Sequence, residues 1–290
     1  MPKVGNNLSS QVLEIQNEIF LIDCGEGTQL GLRKNKIKFS RIKCIFISHL
    51  HGDHYFGLIG LISTFSLLNR TADLHIYGPL GLKDLILNQI KASGSWTKYR
   101  LIFHILSSDK SEIIFISEYI EVSTIPLSHR IYTNGFLFKE INLPRKINPE
   151  ALKDFNVNVA YANKLKQGFN VTNDNGDLIE NSLVTFNGLN PKSYAYCSDT
   201  EYDESIVKLI TGCDAIYHES TFLEKHQLLS KSTKHSTAKQ AGMIARLSNV
   251  KLLILGHYSS RYDNIDDFKL EAETEFNPVI LSEDSKIIEI

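Results

Sequence analysis

Short apolar runs recur along the chain and end at Gly, Pro, Ser or Asp. QVLEI and EIFLID (residues 11–23), KCIFIS (43–48), LHIYG (74–78), IEVSTIP (120–126), SYAYCS (193–198), DAIYH (214–218) and KLLILG (251–256) are rich in Ile, Val, Phe and Tyr and read as buried strands. Between them lie stretches of helical periodicity. The clearest cover residues 56–68, 80–90, 203–210 and 238–247, the last with Ser236 or Thr237 as its N-cap. Strands interleaved with helices predict an α/β layered fold.

Residues 139–192 break this rhythm. Sustained apolar runs are few, and Asn and Gly crowd the second half (NVTNDNGDLIENSLVTFNGLNP). The segment reads as an insertion projecting from a single domain that spans residues 1–290, and long excursions of this kind are often functional. Its first part carries Lys139, Arg145, Lys146, Lys153, Lys164 and Lys166 against Glu140, Glu150 and Asp154. That local excess of positive charge suits a solvated surface and a binding surface equally.

Composition narrows the partners. With 31 Lys+Arg against 33 Asp+Glu, the formal net charge of −2 excludes a uniformly basic coat but not a local patch for RNA. Four cysteines with no C-x-x-C pair make neither a disulfide framework nor a cysteine zinc site, and they fit a reducing compartment. The first ten residues have no apolar core of an export signal. The longest apolar stretch, residues 55–68, is broken by Gly, Ser and Thr and is shorter than the about 20 residues a membrane span needs. A cytoplasmic protein with no membrane partner is expected.

The ten histidines are unevenly placed. Ser48-His49-Leu50-His51-Gly52-Asp53-His54 sets four potential ligands directly after a candidate strand, and imidazole with carboxylate suits zinc or a similar divalent metal. A loop, turning sharply at Gly52, is the expected setting. His129, Asp199, His218 with Glu219, and His257 each lie just beyond the carboxyl end of another candidate strand, the edge where layered α/β proteins build ligand sites. His75, inside a strand, reads as a packed core or surface residue, His226 reads as surface, and His104 lacks this context too.

These pieces resemble the metallo-β-lactamase superfamily, and within it the ribonuclease Z family of tRNA 3′-processing endonucleases. The matching motifs are Asp23-Cys24-Gly25-Glu26-Gly27-Thr28-Gln29, residues 48–54, Tyr77-Gly78-Pro79, Pro126 to Arg130, Cys197 to Thr200, His218-Glu219-Ser220-Thr221, His235-Ser236-Thr237 and His257 to Tyr262, in the family's order across nearly the whole chain. The H-x-H-x-D-H element marks only the superfamily. DCGEGTQ, HEST and HST point to the ribonuclease Z branch, which carries an arm where residues 139–192 fall.

The resemblance implies a four-layer αβ/βα sandwich with an inserted substrate-binding arm at 139–192. It implies two Zn2+ ions per chain, replaceable by other divalent metals. One would be held by His49, His51 and His129, the other by Asp53, His54 and His257, with Asp199 bridging. Asp53 would also orient or deprotonate the attacking water, Glu219 and His235 would supply a proton to the departing ribose oxygen, and Asp23 would orient a ligand histidine. His218 is assigned a structural role, and Arg130 and Arg261 stand open between phosphate contacts and structural ion pairs. The implied activity is zinc-dependent removal of the 3′ trailer from precursor tRNA by water attack on a phosphodiester, leaving a 3′-hydroxyl on the tRNA. The implied assembly is a homodimer in which the arm of one subunit reaches the tRNA elbow.

Two features depart from the family. Its members have a short N-terminal strand and small-residue loop, and this sequence begins at that loop, around Pro2, either through a late start or because the strand is missing; a missing strand would expose the strand near residues 11–15. The arm tip reads NVNVAYANKLKQG where relatives are rich in Gly and Pro; Val157, Val159 and Tyr161 with Lys164 and Lys166 suit docking on tRNA or packing on the core. Two other readings compete: a metal-dependent phosphodiesterase for a small substrate, and a non-catalytic RNA-binding protein on a degenerate enzyme fold.

Overall fold

The computed structural model describes residues 7–188 and 190–290, so the expected loop at Pro2 lies outside the described residues. One sheet runs in sequence order through β1 (Gln11–Ile15), β2 (Glu18–Ile22), β3 (Ile42–Phe46), β4 (Leu74–Pro79) and β5 (Leu101–Leu106). β1 and β2 form an antiparallel hairpin, and β2 to β5 are parallel. Among the described residues β1 lies at one edge of its sheet. The second sheet has seven strands, ordered Val279–Leu281, Leu253–Gly256, Ala215–Glu219, Ser193–Cys197, β8 (Thr133–Glu140), β7 (Ile120–Leu127) and β6 (Ile113–Ile116). Its first four strands are parallel.

The central strands of both sheets are buried on two faces, which is why they read as unbroken apolar runs. Between them Phe20, Phe46, Phe136 and Phe138 interlock, with Phe46 5.3 Å from Phe136 and Phe20 5.6 Å from Phe138. Outside the first sheet the helices Leu58–Leu67 and Leu82–Ala92 bury Leu58, Leu61, Phe65, Leu82 and Ile86. Outside the second, Ala238–Leu247 and Asp266–Ala272 bury Ala241, Ile244, Ala245 and Phe268. The result is the expected helix–sheet–sheet–helix layering. Thr237 caps its helix through a reciprocal capping box with Gln240.

Elements outside the sequence expectation include β5, β6, β8, the strand Val279–Leu281 and the helices Thr28–Lys34 and Asp266–Ala272. β8 contains Asn134-Gly135, a pair whose local preference is for turns. Gly135 instead lies against the neighbouring strand, where a Cβ would stand 2.3 Å from the Tyr196 carbonyl oxygen.

The described residues up to Ile114, with Val122–Phe138 and Ser193–Ile290, form one compact unit; Phe115–Glu121 and Lys139–Lys192 form a second. The second unit has a small core of its own, built from Leu152, Val157, Leu165, Val171, Ile179 and Val184. The side chain of Asn148 caps the helix Pro149–Asp154, and buried Asn181 donates to the carbonyls of Leu165 and Phe169. So the sparse apolar residues of the insertion meet each other. Val157 belongs to that core and is not free to dock on RNA. Val159 is exposed, and Tyr161 is half-buried with the Lys164 ammonium 5.8 Å from its ring. The carbonyl of Lys192 accepts from the Glu140 amide at 2.8 Å, which brings the two ends of the segment together.

All four cysteines are buried. Burial pushes the Cys24 and Cys44 thiols up to about 12, against roughly 8.5 for an exposed thiol. Their neutral form is therefore a source of stability present below about pH 8.5 and lost progressively as pH rises towards 12. A melting-temperature series should fall from pH 8.5 upwards, and a double Cys24→Ala/Cys44→Ala variant should fall less steeply.

Candidate metal centre

The candidate residues gather at the carboxyl ends of the strands. Asp23 follows β2, Ser48 and His49 follow β3, and His129 follows β7. Asp199, Glu219 and His257 follow or end Ser193–Cys197, Ala215–Glu219 and Leu253–Gly256. The H-x-H-x-D-H segment is only partly a loop. His49 and His51 are in loop, but Gly52–Tyr55 forms one helical turn that carries Asp53 and His54. The Phe56 ring lies over Gly52, so a Cβ there would push that exposed ring aside. The left-handed backbone falls instead on Asp23 (φ 57°) and His257 (φ 59°), two residue types that tolerate it.

Two sets of donors face each other. His49 Nε2, His51 Nδ1 and His129 Nε2 converge, 3.0 Å apart for the first pair and 3.3 Å for the last. Nitrogens ~2.1 Å from one tetrahedral zinc lie about this far from each other. Asp53, His54 and His257 form the second set, each imidazole Nε2 3.7 Å from Asp53 Oδ2. Asp199 turns Oδ2 to the first set, 3.7 Å from His49, and Oδ1 to the second, 3.4 Å from both His54 and His257. His54 Nε2 and Asp199 Oδ1 are buried without a hydrogen-bond partner. Two lone-pair-bearing atoms aimed into one space fit a cation, so the residues present fit a metal group.

The outer nitrogens explain this orientation. Asp23, fully buried, accepts from the Ser48 amide at 2.8 Å, the Ser48 hydroxyl at 2.9 Å, His54 Nδ1 at 2.7 Å and the Tyr196 hydroxyl at 2.7 Å. A carboxylate only accepts, so His54 carries its proton on Nδ1 and offers Nε2 inward. His129 Nδ1 donates to the Lys234 carbonyl at 2.7 Å, with the same effect. The Ser48 hydroxyl is spent on Asp23 and that of Thr221 on Glu219, so His49 Nδ1 and His257 Nδ1 donate to these oxygens.

Burial and charge act in opposite directions on these groups. Burial drives His49 down to about 2, so it is neutral and ready to ligate. Burial also opposes charge on His257, but Asp199 and Asp53 overcome it and raise its pKa to about 9. Asp199 stays well below the carboxylate range because His257 and His54 outweigh its burial. Asp199 and Asp53 are thus ionised and offer carboxylate oxygens that a cation could share with the imidazoles once it displaces their protons.

Glu219, fully buried, spends both oxygens: Oε1 on His235 Nδ1 at 2.7 Å and the Thr200 amide at 3.0 Å, Oε2 on the amide and hydroxyl of Thr221. His235 lies beside the centre, its ring stacked 5.5 Å from that of His257, and with Asp199 and His257 it makes a third group of potential ligands.

A family model described as Anti-Pycsar protein Apyc1 matches residues 3–143. Ribonuclease Z of Phocaeicola vulgatus is 41% identical over 290 residues, covering 100% of this chain and 94% of that protein. Ribonuclease Z of Porphyromonas gingivalis is 39% identical over the same span, 95% of its length. The chain belongs to the ribonuclease Z family. The crystal structure of the short form of human tRNase Z superposes with a TM-score of 0.71 at 27% identity, over 100% of this chain and 95% of that one. YhfI from Bacillus subtilis, a metallo-β-lactamase fold protein, matches at 0.66 and 16% identity over 98% of this chain and 92% of that one, which shows the fold alone.

Within this ribonuclease Z centre, the remaining candidates fall outside the ligand sets. His218 is buried and donates from Nδ1 to the Glu219 carbonyl at 2.7 Å. Arg130 is exposed; Arg261 lies 5.3 Å from the Phe222 ring and bonds Ser259. His75 and His104 bond each other at 2.9 Å. His226 is half-buried and bonds the Tyr262 hydroxyl at 2.6 Å, so it is more than a surface residue. The sequence reading had no role for Ser48 or Thr221, although both sit inside motifs, and Tyr196 carries no local signal at all. Asp23→Asn should leave His54 free to turn and weaken metal binding roughly 10–100-fold, measured by competition with a chromogenic chelator.

Proposed function

We propose that this chain is a metal-dependent endoribonuclease that removes the 3′ trailer from precursor tRNA and leaves a 3′-hydroxyl. The observation that carries the reading is Asp199 between two facing ligand sets, with the Glu219–His235 pair alongside. His49, His51 and His129 would hold one zinc ion, Asp53, His54 and His257 a second, and Asp199 would touch both. Bound there, the metal pair supplies positive charge for the scissile phosphate and acidifies water towards neutral pH.

The protein groups do the rest. Asp53, with its side chain 42% exposed, is the accessible carboxylate and accepts the proton of the attacking water. His235 donates a proton to the departing ribose oxygen of the tRNA. Buried Glu219 fixes that ring by its Nδ1 bond, and the charge of His235 holds Glu219 below its ordinary pKa despite burial. The arm, residues 139–192, is read as an inserted substrate-binding element of a 290-residue metallo-β-lactamase domain, its lysines contacting phosphates. Family resemblance supports a homodimer working in the cytoplasm.

Purified protein should carry two zinc ions per chain and cleave precursor tRNA. Asp53→Ala should slow cleavage by roughly 10²–10⁴-fold, the range for a lost general base, and undiminished cleavage would refute the assignment. The arm gives an independent test. Replacing residues 142–190 by a short linker should abolish precursor-tRNA cleavage but preserve turnover of a small chromogenic phosphodiester. Equal retention of both activities would refute the arm's substrate-binding role, and turnover of the small ester without tRNA cleavage by the intact chain would favour a small-substrate phosphodiesterase.

A further inference from the structure

The turn that carries His235 is tied down from several sides. Lys234 ends the helix Gln227–Thr233 in the left-handed conformation, φ 55°. That conformation is strained for a lysine and persists where the surroundings over-determine it. Here the Lys234 carbonyl accepts from His129 Nδ1 at 2.7 Å, and its Nζ donates to Glu201 Oε1 at 2.9 Å. The same oxygen accepts from the Ser128 hydroxyl at 2.6 Å, and the Glu201 amide donates to the Ser128 carbonyl at 2.9 Å. Beyond His235, the Ser236 hydroxyl donates to the Thr200 carbonyl at 2.8 Å.

A closed ring therefore runs from Ser128 through Glu201 and Lys234 to His129. Each corner adjoins a working residue: Ser128 precedes His129, Glu201 follows Asp199-Thr200, and Lys234 precedes His235. We propose that the Glu201–Lys234 ion pair is a positioning device that locks the His235 turn onto the loops bearing His129 and Asp199. Neither residue touches substrate; both act through His235, and the proposal rests on His235 being the proton donor. The two side chains are 29% and 41% exposed, so the pair contributes little to overall stability. Its value is geometric, since a displacement of ~1 Å in a reacting group can cost ~10²-fold in rate.

Lys234→Asn tests this. Asn accepts the left-handed backbone and removes the charge. Against precursor tRNA, kcat should fall at least about tenfold at unchanged KM, part of what misplacement of a reacting group can cost. Turnover of bis(p-nitrophenyl) phosphate should stay within about twofold, because p-nitrophenolate departs without a proton. Zinc content and the melting temperature in chelator should match the unaltered protein. Glu201→Gln should behave alike, and the double variant should be no slower than either single one, the mark of a coupled pair.

Equal losses on both substrates, additive losses, or no loss in Lys234→Asn would each overturn the ion-pair proposal. His235→Ala, run in parallel, separates the two levels. If it slows tRNA cleavage while Lys234→Asn does not, only the ion pair fails. If it leaves tRNA cleavage intact, the proton-donor reading fails and the positioning role falls with it.

Discussion

Everything at the metal centre leans on the Asp23 carboxylate. It is fully buried and accepts four hydrogen bonds, from the Ser48 amide, the Ser48 hydroxyl, His54 and Tyr196. An unpaired carboxylate buried so deeply would be very costly, and these donors make it tolerable. The same bonds hold the end of β3 to the end of β2 and draw in Tyr196 from the opposite sheet. They also set the tautomer of His54. A single group thus joins the two sheets and aims a candidate ligand.

The same economy recurs around the centre. Each of His49, His54, His129 and His257 has its Nδ1 anchored to an oxygen of the protein, leaving Nε2 to converge. These anchors come from a serine, a carboxylate, a backbone carbonyl and a threonine, so no single sequence pattern describes them. What they share is that the acceptor has no proton to give, or has spent it elsewhere. That settles the direction of these four imidazoles.

Much of the layered fold was legible along the chain. Buried parallel strands leave continuous apolar runs, and the helices that cover them leave a 3.6-residue period. Legibility failed where local signals conflict with tertiary need. Asn134-Gly135 favours a turn locally but lies within β8, where Gly135 is pressed against the Tyr196 carbonyl. The insertion reads as polar, yet Leu152, Val157, Leu165, Val171, Ile179 and Val184 come together in a small core from positions with no common period.

The sequence alone determined which chemistry is possible. Imidazoles and carboxylates were set at the ends of successive strands, and chain direction in a parallel sheet brings those ends to one edge. Only the tertiary structure decided how they face. Asp199 divides its two oxygens between the sets, the Phe56 ring lies over Gly52, and Lys234 reaches back to Glu201 and His129. The Asp199 and Lys234 relations join residues far apart in the chain, and their geometry comes from tertiary packing, which no local pattern of residues encodes.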